Sequence, residues 1–411
     1  MPEAAPLLFD DEGLSPYAPA SGEPSDDTYV VGAAESFYGH RPYALDPYGK
    51  RNWGGTLHSL CSYQGKLKPS IAYFLVKWFT EPGETVLDPM AGVGTIPLEA
   101  RRQGRVAVAN DLSPLAAVVS QAKLEPTTAN AIDGVLILLD QELKAARADD
   151  LDDLIASEGA DFGLNGSVTE YFHPETLREV LVARRFFATR IAAPDPADAL
   201  VLTSLLHVLH GNRPYALSRR SHPVTPLKPS GNFEYRSLLA HVRKRLDKTA
   251  PLLDELPPGG RVHRGDFANV PERAGSVDCV ITSPPFAQSL RFYSSNWLRL
   301  WMCGWGPDDF KQPASAFLER EQSRDYARAY QRFFAAMGVL LKPGGLLILH
   351  LGATARFDMA DELRGVFDPW FYEVASGAEH LDRPESHGLT DKGATVSHVF
   401  MFLRAHGGGE S

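Results

Sequence analysis

The sequence predicts an α/β fold, a mostly parallel sheet interrupted by a long, mainly helical insertion. Three observations predict it. A short apolar strand, a glycine turn, a helix pattern and a second strand follow one another between residues 85 and 111. Strand patterns resume only after residue 259. Between them lie about 130 residues of irregular, mostly helical pattern, too long for a simple loop in a compact domain.

Each element follows from its residues. Pro69 suits the first turn of a helix, and Ile71, Phe74, Leu75 and Trp78 recur at helical spacing until Pro82-Gly83 breaks the pattern. "TVLD" is a short buried strand, and "GVGTIPLEARRQG" is a glycine loop opening a helix that ends at Gly104. "RVAVAN" is the next strand, ending at Asp111, with a helix starting near Ser113-Pro114. "RVHRGDF", "SVDCVITS", "GGLLILHLG" and "TVSHVFMFLRA" are the later strands. The expected organisation is an acidic, disordered arm over residues 1–50, a catalytic domain in two pieces (51–126 and 259–405) and an inserted region over 127–258.

The chain has 411 residues and a net charge of −10, which taken alone argues against a polyanion partner. The distribution matters more than the total. Residues 1–47 hold nine acids and one base, whereas residues 213–248 hold nine bases and two acids. No apolar run spans a bilayer and the N-terminus lacks a basic–apolar signal pattern, so a cytoplasmic location without membrane contact is expected. Cys61, Cys279 and Cys303 are far apart, and no metal or disulfide framework is expected. His207 and His210 lie on an apolar helix without a third ligand in view.

In "VLDPMAGVGT" the strand ends at Asp88 and glycines stand at 92 and 94, where backbone can approach a ligand closely. Asp111, ending the next strand, can accept hydrogen bonds from ribose hydroxyls. The same pattern also fits a tight strand–helix turn followed by a capping acid. The stretch "DCVITSPPF" ends a second strand in a rigid corner. Pro-Pro pre-sets the backbone there and adds no N–H donors.

Together these stretches resemble the amino-group methyltransferases that act on DNA cytosine N4 or adenine N6. "DPMAGVGT" resembles their S-adenosylmethionine loop and "TSPPF" their catalytic tetrapeptide. "SYQGKLKP" resembles the segment placed beside the methionine part of the cofactor, and "GDF" at 265–267 the segment that holds its adenine. The resemblance covers roughly residues 58–125 and 260–403, and departs from the family at Met90 and in the long insertion. It implies a Rossmann-like class I methyltransferase sheet of about seven strands. It implies S-adenosylmethionine contacts at Tyr63, Lys66, Asp88, Pro89, Ala91, Gly92, Gly94, Thr95, Asp111, Asp266 and Phe267. The catalytic set is Ser283, Pro284, Pro285 and Phe286: Ser283 Oγ and the Pro284 carbonyl accept from the amine, and Phe286 stacks on an extruded base. Serine before Pro-Pro is commoner for cytosine, so N4 of cytosine is the expected target.

The insertion supplies the expected double-stranded DNA contacts at Arg213, Arg219, Arg220, His222 and Lys228, in a Pro/His/Tyr-bearing basic loop. The resemblance also implies nucleoid association and a cognate restriction endonuclease as partner. Competing readings are adenine N6, an RNA base, a protein glutamine, and a non-catalytic cofactor-binding regulator of DNA.

Overall fold

The computed structural model describes residues 22–50, 52–63, 65–212, 214–286, 292–311, 317–355, 357–385 and 395–407. Seven strands form one sheet: β1 (Thr85–Asp88), β2 (Val106–Asp111), β3 (Gly260–Arg264), β4 (Val277–Thr282), β5 (Leu341–Thr354), β6 (Phe371–Glu385) and β7 (Thr395–Ala405). Their order is β3-β2-β1-β4-β5-β7-β6. The first five run parallel, and β7 is antiparallel to both β5 and β6. This is the Rossmann-like class I methyltransferase sheet that the sequence predicts.

Alternation along the strands explains why both faces are covered. Val86, Cys279, Ile281, Leu346 and Ile348 bury on one face, whereas Leu87, Val280, Leu347 and Leu349 bury on the other. Two-sided burial is what a parallel sheet requires. One face carries α1 (Asp27–His40) and α2 (Pro69–Phe79); the other carries the helix Tyr326–Leu340.

Residues 27–50 correct the expectation of a disordered arm. Asp26 caps α1 by accepting from Thr28 N at 2.8 Å. Val30, Ala33, Ala34 and Phe37 recur at helical spacing and are all fully buried. Phe37 packs edge-on against Phe400 at 4.9 Å. The acidity of this segment is structural in part, since Asp27 pairs with the buried Arg404 of β7 at 2.8 Å and accepts from Tyr372 Oη at 2.9 Å.

The insertion shares its core with the sheet domain. α3 (Pro114–Leu124) contributes Leu115, Val118 and Val119 to one cluster with α4 (Ala129–Ala145), α5 (Pro174–Ala188), α6 (Pro196–Val208) and α7 (Leu238–Asp254). Trp297, Leu298 and Trp301, at helical spacing, join the same cluster. The buried Arg299 ties this short helix to α6 by donating from Nε to Leu206 O at 3.0 Å.

Candidate active site

The sheet order brings two distant motifs together. Strand order reverses between β1 and β4, and a crevice opens beyond their carboxyl ends at such a switch point. Asp88 ends β1 and Thr282 ends β4; Thr282 Oγ1 donates to Asp88 Oδ1 at 2.8 Å across 194 positions.

The glycine loop is clamped from several sides. Asp111 accepts from Gly92 N through Oδ2 and from Ser113 N through Oδ1, each at 2.8 Å. Ser120 Oγ donates to Gly92 O at 3.0 Å, and the buried Lys123 ammonium donates to Val93 O. Ala91 N bonds Asn110 O at 2.9 Å, and Asn110 Nδ2 donates to both Pro89 O and Gly265 O at 3.0 Å. Gly94 has φ +67°, and a Cβ there would sit 2.8 Å from Ser120 Oγ, so only glycine fits. Gly92 has φ +52° and faces the Tyr63 ring.

Burial governs the charges. Asp88 is pushed up to about 7 by burial, partly offset by its bonds from Thr282 and Met90 N. Asp111 is pushed up to about 6 by burial, offset by the backbone N–H donors of Ser113 and Gly92. The folded protein thus holds the Asp88 proton more tightly than the unfolded chain does. The resulting stability is present at low pH and lost as pH rises through about 7. Asp88→Asn keeps an oxygen for Thr282 and Met90. Its melting temperature minus that of the wild type is expected to grow from about pH 4 to about pH 7 and to level off above, by thermal unfolding. A difference that stays flat would contradict the buried-carboxyl assignment.

The Ser-Pro-Pro-Phe corner is pinned on both sides. Gln322 Nε2 donates to Pro285 O at 3.3 Å. The half-buried Phe286 ring seats on Gly352 of β5, where an added Cβ would lie 2.5 Å from Phe286 Cδ2. The ring centroid is 5.7 Å from His350 and 5.8 Å from His398. Ser283 Oγ lies 3.0 Å from His350 Nδ1. Sequence spacing gives no sign that His350 reaches the corner. It lies within β5, whose pairing with β7 sets His350 beside Phe400. Gly352 was missed as well. Its signal, a glycine inside a strand, marks a close approach.

Residues 59–158 match a family described as RMKL-like, methyltransferase domain (UPF0020). Residues 59–158, which include the glycine loop and Asp111, therefore carry the sequence of a methyltransferase domain. Among solved structures it is similar to TrmN from Thermus thermophilus, with 13% identity over 85% of this chain and a TM-score of 0.34. It spans about half (52%) of that protein's length. Geranyl diphosphate C-methyltransferase from Streptomyces coelicolor A3(2) is 9% identical over 87% of this chain and 84% of its own, with a TM-score of 0.32. A SAM-dependent methyltransferase from Methanosarcina mazei is 9% identical over 81% of this chain and 97% of its own, with a TM-score of 0.31. A comparison with curated protein sequences returned no match.

The glycine loop fits a small cofactor. Gly92 and Gly94 leave the backbone uncovered, and the buried Thr95 Oγ1 has no hydrogen-bond partner among the described residues. Of the sequence-predicted cofactor residues, the structure gathers Tyr63, Asp88, Pro89, Ala91, Gly92, Gly94, Thr95 and Asp111 around that loop. Three others are engaged elsewhere. Lys66 Nζ donates to His58 O at 2.7 Å and so closes the loop before α2. Asp266 Oδ1 accepts from Ala268 N at 2.8 Å and Arg332 Nη1 at 2.7 Å. Phe267 is buried against Phe333, with the Arg332 guanidinium 4.3 Å above its ring.

The insertion corrects one expected contact. Arg219 is a structural residue: it donates to Gly231 O at 2.8 Å and Glu170 O at 3.1 Å and lies 4.3 Å over the Phe233 ring. An arginine beside two chain reversals is drawn inward by their unpaired carbonyls, which sequence spacing does not reveal. Arg219→Ala is therefore expected to lower stability by about 1–3 kcal/mol in denaturant unfolding. Arg220, His222 and Lys228 stay exposed; His222 Nδ1 accepts from Val224 N and Thr225 N, and Lys228 is 4.0 Å from Glu170. Arg213 lies outside the described residues. His210 is buried with Nδ1 3.1 Å from His222 O, and His207 stacks on Tyr215. Among the described residues no helix is long and apolar enough to cross a membrane.

Proposed function

We propose that this protein is an S-adenosylmethionine-dependent methyltransferase that modifies DNA site-specifically, at the exocyclic N4 of a cytosine flipped from the duplex. The observation that carries the reading is the Ser283-Pro284-Pro285-Phe286 corner. It continues directly from Thr282, whose hydroxyl is bonded to Asp88 at the base of the glycine loop. A group held by the loop and a base held by the corner are thereby set against one another, so orientation supplies much of the rate.

The cofactor supplies an electrophilic methyl on a sulfonium. Asp111, with spare lone pairs on both oxygens, accepts from ribose hydroxyls, and Thr95 Oγ1 gains the partner it lacks. The base amine is a poor nucleophile, because its lone pair is delocalised into the ring. Ser283 Oγ and the Pro284 carbonyl accept from the NH₂ and favour a tetrahedral nitrogen. Phe286 packs against the base. A cysteine-dependent methylation of a ring carbon does not fit: Cys61, Cys279 and Cys303 are buried, and burial holds the Cys279 thiol well above its ordinary value.

Exposed aromatic and basic side chains support a nucleic acid as substrate. Tyr215, Phe233 and Tyr235 are 40%, 48% and 53% exposed on the segment that carries Arg220 and Lys228. Such side chains stack on bases and contact phosphates. Arg220→Ala combined with Lys228→Ala is expected to leave cofactor binding intact. It should weaken duplex binding and flatten the log K–log salt slope by about 2, or roughly 0.9 per phosphate contact. An unaltered slope would place recognition elsewhere on the insertion. The reading itself is tested by transfer of labelled methyl from S-adenosylmethionine into unmethylated duplex DNA, with RNA and protein pools in parallel. Label in RNA or protein alone would overturn the DNA assignment.

A further inference from the structure

His350 lies under the catalytic corner and has no part in the mechanism above. It is 5% exposed, packed 4.9 Å from Phe400 and 4.7 Å from His398 by ring centroids, with Phe286 on its other side. Its Nδ1 is 3.0 Å from Ser283 Oγ, and its Nε2 is buried with no hydrogen-bond partner among the described residues. Either neutral tautomer leaves Nε2 unsatisfied, so burial does not choose between them. Ser283 does. If Nδ1 carries the proton it donates to Oγ and occupies a lone pair. If Nδ1 is bare, it takes the hydroxyl proton and leaves both lone pairs of Oγ free to accept.

We propose that His350 is a positioning residue that holds the Ser283 hydroxyl as an acceptor for the substrate amine and takes up its proton after methyl transfer. The inference rests on the role given to Ser283 above. The amine nitrogen forms the N–C bond as the C–S bond breaks, with that electron pair going to sulfur. The nitrogen is left cationic. Its proton passes to Ser283 Oγ while the Ser283 hydroxyl proton passes to His350 Nδ1, giving a neutral methylated amine and an imidazolium. The imidazolium returns its proton through Ser283 to solvent once product leaves. The ring starts neutral, because burial and the neighbouring His398 hold it well below its ordinary value. A weak base suffices for so acidic a conjugate acid.

Two measurements test this. In protein carrying ¹⁵N-labelled histidine, His350 is assigned by the signal lost in His350→Asn. Nδ1 is expected to be bare and hydrogen-bonded, with Nε2 protonated, and the Nδ1 resonance is expected to move in Ser283→Ala. A protonated Nδ1, or a resonance indifferent to Ser283→Ala, overturns the proposal. The second measurement is single-turnover transfer to unmethylated duplex DNA. His350→Phe is expected to slow it about 10²-fold at unchanged cofactor affinity. His350→Asn, which restores an acceptor near the Nδ1 position but cannot take up the proton, should recover only part of that loss. In the Ser283→Ala background His350→Phe should add almost nothing, because its route to the amine is gone. An equal loss in both backgrounds makes the residue mere packing and overturns the proposal. If the wild type leaves DNA unmethylated, the substrate reading fails, and the ring-nitrogen measurement still decides the Ser283–His350 pairing.

Discussion

Ser283→Ala is expected to slow methyl transfer by roughly 10²–10³-fold, the usual loss when one pre-positioned hydrogen-bond group is removed from a developing charge. Cofactor affinity should stay unchanged. The reasoning is geometric: Ser283 follows Thr282 at the end of β4, and its hydroxyl faces His350 and not the glycine loop. Its bond to the amine strengthens as nitrogen becomes tetrahedral, so the loss should fall on kcat, with KM for nucleic acid nearly constant. Pre-steady-state kinetics and calorimetry read the two quantities separately. A Ser283→Ala protein with wild-type kcat would remove the corner from the chemistry.

Asp111→Ala is expected to weaken S-adenosylmethionine binding by about 1–3 kcal/mol, or roughly 5- to 150-fold in Kd. Two losses combine there. One is the acceptor for ribose hydroxyls. The other is the clamp on the loop, since Gly92 N and Ser113 N both donate to this carboxylate. Asp111→Asn retains one oxygen acceptor but turns an NH₂ toward the second backbone donor, so an intermediate loss is expected. The buried carboxyl is pushed up to about 6, and ligand hydroxyls favour its charged form, so binding near pH 6 should release protons. Calorimetry in two buffers of different ionisation enthalpy checks this. Unchanged affinity in Asp111→Ala would take the residue out of the cofactor site.

Much of this was legible in the sequence because the informative features are local. Asp88, Gly92, Gly94 and Asp111 sit within one strand–turn–helix–strand unit whose spacing dictates its geometry. The Thr282–Phe286 corner is equally local. What was missed depends on contacts between distant segments. α1 carried a readable signal in its Asp26 cap and its Val30, Ala33, Ala34, Phe37 spacing, but acid-rich composition outweighed it until Arg404 supplied a partner for Asp27. The strand β6 is rich in polar and charged residues because it lies at the sheet edge, so no apolar alternation marked it. His350 and Gly352 matter only because β5 runs beside β4 and carries them under Ser283 and Phe286. Arg219 looked like a free cation because sequence does not show which carbonyls a loop leaves unpaired.

The most direct test of the central claim is mass spectrometry of nucleosides from unmethylated duplex DNA incubated with this protein and S-adenosylmethionine. The account predicts N4-methylcytosine, lost in Ser283→Ala. N6-methyladenine would keep the corner's chemistry and overturn the choice of base. A methyl group on a ring carbon, or no methylated nucleoside at all, would contradict the account.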